Sequence, residues 1–216
     1  PAERDPVEEG YRALIDAWQC QRGAQAMLSD ATRAIELVPE DDPWFGSALG
    51  AFGYAQLMNG LRAEAAATFQ GFEDRPTATM PHPTARAVAP DVRAPVAIAE
   101  QRLATAVELL QGSAAIRAEY GITELGLAAL DDAVATRVAL IRGTGIDEAR
   151  QSLAHAQRVR PLVSWAIPAL AVHVRLELVK AHLGLGDVAG ARTIMREISD
   201  ILHRRPGLGA FEIEAT

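Results

Sequence analysis

Cysteine is nearly missing from this chain. Cys20 is the single one in 216 residues, so no intramolecular disulfide can form and a reducing compartment, the cytoplasm, is expected. Aromatic residues make up only 5% of the chain, and Val and Ile are thin beside Ala, Leu and Arg, a balance that favours helix over sheet. Positive charge is short as well. The formal net charge of -7 argues against a nucleic-acid or anionic-membrane surface, since either needs clustered cations. No apolar run reaches the roughly 20 residues of a membrane span. The best stretch, Val163 to Leu183, is interrupted by His173, Arg175, Glu177 and Lys180. No signal peptide is recognisable, and the chain opens at Pro1, so it is expected to be a piece of something longer.

What the chain does have is helical pattern almost throughout, cut by Gly and Pro. Helices are expected at about 7–20, 24–37, 44–59, 62–72, 94–111, 113–120, 124–142, 147–158, 164–183 and 188–204. No stretch alternates apolar and polar residues long enough to be a strand, so the fold class is all-α. The breaks recur. Gly23 is followed by AQAMLSDATRAI, Gly60 by LRAEAAATF, Gly145 by IDEARQSLAHA and Gly186 by DVAGARTIMREI. Gly23 and Gly60 lie 37 residues apart, and Gly145 and Gly186 lie 41 apart. Each unit reads helix, glycine turn, helix. Periods of about 34–47 with this grammar mark right-handed superhelical arrays of antiparallel helix hairpins, the tetratricopeptide-like solenoids. Residues 1–216 are therefore read as one helical-repeat domain, in which each hairpin buries its apolar face against its neighbours.

Gly184-Leu185-Gly186 could instead announce a phosphate-binding loop. The dinucleotide fingerprint needs a preceding strand and a third glycine in fixed register; here a long helix precedes, and Gly190 falls one position too late. Gly143-Thr144-Gly145 repeats the pattern one unit earlier, also after a helix. The pair reads as a turn, with Asp187 placed to cap the helix that follows. The segment 74–95 departs from the grammar. Its five prolines disfavour regular helix, so a Pro-rich connector or insertion is expected there, with a lid over a groove as the alternative.

The expected helix 164–183 carries two apolar stripes, one through Ile167, Leu170, Val174, Leu178 and Ala181 and one through Trp165, Ala169, Val172, Leu176, Val179 and Leu183. Two polar seams separate them: Arg175 with His182, and His173 with Glu177 and Lys180. A helix apolar on two flanks is sandwiched between neighbours, and one seam is left to line the inner groove. Arg137 in the preceding repeat could stand beside Arg175, and two guanidiniums along a groove would suit a carboxylate or phosphate ligand. Alternatively, each arginine pairs with an acid such as Glu177 or Asp131. Trp18, Trp44 and Trp165 sit near helix ends, where large rings wedge repeats together; Trp165 has the further option of stacking on a ligand. The candidate groove residues are thus Arg137, Trp165, Arg175 and His182. The five histidines, His82, His155, His173, His182 and His203, form no H-E-x-x-H motif, Cys20 has no nucleophile context, and no metal, cofactor or catalytic set is expected.

The stretch SWAIPALAVHVRLELVKAHLGLGDVAGARTIMREISDILHRRPGLGAF resembles the tetratricopeptide-like region of MalT-like, LuxR-type bacterial transcriptional regulators. The matching residues are Trp165, Pro168, Arg175, Leu176, Glu177, Leu178, Gly186, Asp187, Ala191, Arg192, Arg204, Arg205, Pro206, Leu208 and Gly209, and the similarity runs over about 124–211. It is weaker at WFGSALGAFGYAQLMNGLRAEAAATF and absent from the Pro-rich segment. The resemblance implies a non-enzymatic sensor region that takes an inducer or partner protein in its inner groove, flanked in the whole protein by ATPase and DNA-binding domains. A scaffold module holding a partner helix or peptide is the alternative. Apolar flanks on the end hairpins would need cover from those domains, or would let the isolated chain form a homodimer.

Overall fold

The computed structural model describes residues 5–73, 75, 83–143 and 145–216, and of residues 72, 73 and 83–85 the backbone only. Eleven helices follow one another among these residues: α1 (Pro6–Gln19), α2 (Ala24–Leu37), α3 (Phe45–Met58), α4 (Arg62–Glu73), α5 (Pro83–Ala99), α6 (Leu103–Tyr120), α7 (Ala128–Arg142), α8 (Ile146–Val159), α9 (Pro168–Gly184), α10 (Val188–Arg204) and α11 (Ala210–Glu214). No strand occurs among them.

Local chemistry starts and stops these helices where the sequence places the signals. The Asp5 side chain accepts from the Val7 N–H at 3.0 Å, Pro6 fills the first turn, and Glu8 and Glu9 face the positive end of the helix dipole. Asp187 caps α10 by accepting from the Gly190 N–H at 2.9 Å. Before it, Gly186 takes φ +74°, the left-handed conformation that a glycine reaches without strain, with open space around it. Gly184-Leu185-Gly186 is a turn between two helices.

The helices pair as hairpins, α1 with α2, α3 with α4, α5 with α6, α7 with α8 and α9 with α10. The odd-numbered helices form an inner layer in which each touches the next, and the even-numbered helices pack outside. Position in the layers explains composition. Outer helices bury one stripe, as α10 does with Ala191, Ile194, Ile198 and Ile201. Inner α3 and α9 are buried on nearly every side, because each meets its own partner and both neighbouring hairpins. Small residues allow the close approach: a Cβ on Gly53 would lie 2.6 Å from the Phe69 ring.

Two expectations need correction. The Pro-rich segment 74–95 is helical from Pro83 onward, and α5 runs through Pro90 and Pro95; residues 74 and 76–82, His82 included, lie outside the described residues. Each internal proline removes one helix hydrogen bond, at a cost of about 3 kcal/mol. Burial of Ala87, Ala89, Val92, Ala94 and Ala97 against the surrounding helices offsets that loss. The expected helices 94–111 and 113–120 are likewise divided elsewhere, at Glu100–Arg102, where Gln101 is left-handed with φ +61°.

The end hairpins meet. α9 touches α1 and α3, and the chain after α10 returns across the first turn, where the Ala24 N–H donates to the Gly207 carbonyl at 2.8 Å. The Asn59 amide donates to the carbonyls of Ala24 (2.9 Å) and Ala55 (2.7 Å), and α11 packs on α3 and α9. The array therefore curls until its first and last units touch.

Candidate functional site

The curled inner layer leaves a cavity of about 300 Å³ between α3, α5, α9 and α11. Its wall is apolar at Leu57, Val92, Pro95, Val96 and Phe211 and polar at Arg62, Glu100, His173, Glu177, Lys180 and Glu214. The seam of α9 that faces inward is therefore His173, Glu177 and Lys180.

Those three side chains are held firmly. Glu177, 1% exposed, pairs with Arg137 of α7 and with Lys180 at 2.8 Å, and Lys180 in turn pairs with Glu214 of α11. Burial alone would raise the Glu177 carboxyl, but Lys180 and then Arg137 outweigh it and hold the group below its ordinary value. Burial likewise opposes the Lys180 charge, and Glu177 more than compensates, so the ammonium titrates above its usual range. His173 has no comparable partner. Burial pushes its pKa down to about 4, which makes it a neutral ring at pH 7. Its Nδ1 lies 3.4 Å from the Tyr54 hydroxyl, and its ring stacks on Phe211 with centroids 5.3 Å apart. Tyr54 also meets Trp18 and Phe69 at 5.9 and 6.0 Å, so one aromatic cluster links α1, α3, α4, α9 and α11 behind the cavity.

The candidate residues Arg137, Trp165, Arg175 and His182 are not brought together. Arg137 reaches the cavity's charge cluster through Glu177. Arg175 lies on the far side of α9, where it bonds Glu197 of α10 at 2.9 Å and donates to the Val163 and Ala171 carbonyls, each at 3.1 Å. Arg160 joins the same Glu197 at 2.9 Å. His182 is enclosed between α8 and α10; its Nδ1 donates to Asp187 at 2.8 Å and its Nε2 accepts from the Gln157 amide at 2.8 Å. Trp165 is 45% exposed, with the Arg205 guanidinium over its ring at 5.1 Å. The arginine and histidine of this seam tie the outer layer together instead of lining the groove. Phe211 and Glu214 complete the cavity, and α11, which carries both, is too short to show a periodicity.

Two further features stand apart from the cavity. In the core between α5, α6 and α7, one guanidinium serves two carboxylates: Arg117 bonds Asp91 at 3.0 Å and also pairs with Asp131. Ser113 accepts from Arg117 at 2.7 Å and donates to the Ala87 carbonyl. Burial, followed by the charge of Asp131, raises the Asp91 carboxyl well above the carboxylate range. At the meeting of the end hairpins, Tyr11, Leu14, Ile15, Trp18, Trp44 and Ile167 line an apolar cleft of about 410 Å³. Among the described residues, no group of three or more His, Cys, Asp or Glu side chains is placed to hold a metal ion. None of the described helices is long and apolar enough to cross a membrane.

No known protein-family model matches the chain, and no curated protein matches it. Among solved structures, that of nearly identical TPR-like repeats from Podosopora anserina, described as kinesin light chain-like, covers 94% of this chain and 98% of that one. The TM-score is 0.53 and the identity 17%. At that identity the likeness is one of fold: this chain is an all-helical, TPR-like repeat array.

Proposed function

We propose that the chain is the sensing and protein-interaction region of a MalT-like, LuxR-type transcriptional regulator. It takes a small polar inducer or a regulatory protein into its inner cavity and catalyses nothing itself. In this reading it works in the cytoplasm, with ATP and DNA bound by neighbouring domains of the whole protein. The observation that carries the proposal is the cavity: Glu177 and Lys180, paired with each other and braced from behind by Arg137, a neutral imidazole and the Phe211 ring line one concave space. The similarity of residues 124–211 to the family's repeats supports the assignment to a regulator.

A thermal-shift screen against sugars, sugar phosphates, nucleotides and small acids tests it. A ligand at about 100 times its Kd adds roughly 2.7 kcal/mol, or about 5–10 °C for a chain of this size. A shift that Arg62→Ala or Lys180→Ala abolishes supports the cavity; a shift that neither touches removes the inducer from it. The apolar cleft favours a second reading, a scaffold that holds a partner helix or peptide. A flat metabolite panel together with a co-purifying peptide would favour that reading over the first.

A further inference from the structure

We propose that the inner groove is a docking surface for an acidic helical peptide with an aromatic anchor, and that α11 is its resident internal occupant. The inference deepens the protein-partner branch of the reading above and rests on it.

A five-residue helix is not stable on its own in water. α11 exists because the groove holds it, and it does so through two side chains. Phe211, 6% exposed, lies flat on His173, and Glu214 pairs with Lys180. These residues are three apart and therefore share one face of the helix, whereas Ile213 on another face is 76% exposed. Both contacts fall on the inward polar seam of α9, where it lines the cavity. The segment is also jointed. Gly207 and Gly209 take φ +82° and +59°, a reversal that brings the chain back over the groove after α10 has ended at Arg204. Leu208, fully buried, pins the joint, so the part beyond Gly209 can leave while its base stays seated.

The charges that face this segment fit an acidic ligand. Lys180 and Arg62 line the cavity; Glu177 is already matched by Arg137 and Lys180, and Glu100 bonds Arg102. A partner that offers a Phe and, three residues later, a Glu reproduces what α11 does. As a tethered segment, α11 competes at an effective concentration of the order of millimolar.

The test uses the chain's own segment as probe, a fluorescein-labelled peptide GLGAFEIEAT read by anisotropy. The native chain should bind it at least tenfold more weakly than the variant F211A/E214A, whose groove is vacated. Binding to that variant should vanish with K180E, and a peptide carrying Lys in place of its Glu at the Glu214 position should then restore it. Equal affinity for native and variant chains, or no binding by a variant that retains its helical circular dichroism, overturns the proposal. Hydrogen exchange on the native chain covers the case in which the variant does not fold. Millimolar peptide should speed exchange of the α11 amides and leave those of α9 and α10 unchanged, and no change at α11 would also overturn it. The peptide assay contains no metabolite, so the thermal-shift result stands or falls separately from this one.

Discussion

Asp91→Asn isolates the energetics of the buried Asp91–Arg117–Asp131 group. Asp91 is 1% exposed, Asp131 7% and Arg117 5%, so two carboxylates share one cation where water does not reach. Ionising both would leave a net negative charge in the core, a state far costlier than keeping one proton. Burial and the neighbouring Asp131 place that proton on Asp91 by raising its carboxyl. The folded chain thus holds a proton that the unfolded chain releases near pH 4. The stability this contributes is fully present below that pH. It is lost as pH rises towards the raised value, by at most about 1.4 kcal/mol per pH unit. For a chain of this size that is about 3–5 °C in Tm per unit. Asparagine keeps the shape and can donate to Asp131 as the protonated acid does, yet it binds no proton. The Tm of Asp91→Asn minus that of the native chain should therefore climb from pH 4 upward, and the variant should equal or exceed the native chain at pH 7. Acids of the opposite sense, such as Glu177, act in both proteins and cancel from the difference. Arg117→Met, which strands both carboxylates, should cost about 3–5 kcal/mol, or about 6–20 °C. Circular-dichroism melts between pH 4 and 8 read all three proteins. A Tm difference that stays flat across that range, or a loss of more than about 3 kcal/mol in Asp91→Asn at pH 7, would refute the reasoning.

Other substitutions probe the cavity and the closure. Glu177→Gln removes the anion that Arg137 and Lys180 share and should lower stability by about 2–4 kcal/mol in urea titration, with an unchanged m-value. Gly209→Ala forces a side chain into φ +59° with its Cβ 2.1 Å from the Met58 carbonyl oxygen; trypsin should then cut after Arg204 markedly faster than in the native chain. Gly53→Ala drives a methyl into the Phe69 ring at 2.6 Å and should cost about 1–3 kcal/mol by calorimetry, which Phe69→Leu in the same chain should partly relieve.

The hairpin array is legible because its punctuation is local. Gly23 and Gly186 need a positive φ and Asp187 needs only the N–H of Gly190, so the turns before α2 and α10 follow from a few neighbouring residues. α5 is illegible for the opposite reason. Pro90 and Pro95 disfavour helix locally, and only packing against the four surrounding helices overcomes that preference. The inward seam of α9 is hidden as well, because a helix buried nearly all round carries no periodic sign of which side meets a cavity. Arg175 looks like a ligand-binding arginine until Glu197, Val163 and Ala171 are seen to hold it on the far side of α9. Lys180 and His173 look like surface residues until the returning α11 gives them Glu214 and Phe211.

The bond from Ala24 to Gly207 changes the arithmetic of unfolding. In an open row of repeats each end unit has a single neighbour, so protection against hydrogen exchange falls off towards both ends. When the row bends round until its ends touch, no unit is terminal, and any hairpin must break two interfaces to leave. Exchange should then be nearly uniform from α1 to α10, and denaturation should be steeper than the repeat number alone suggests. The closing contact also joins segments separated by almost the whole chain, which makes it a late and slow event in folding. Mutations confined to it should speed unfolding and barely alter the folding rate.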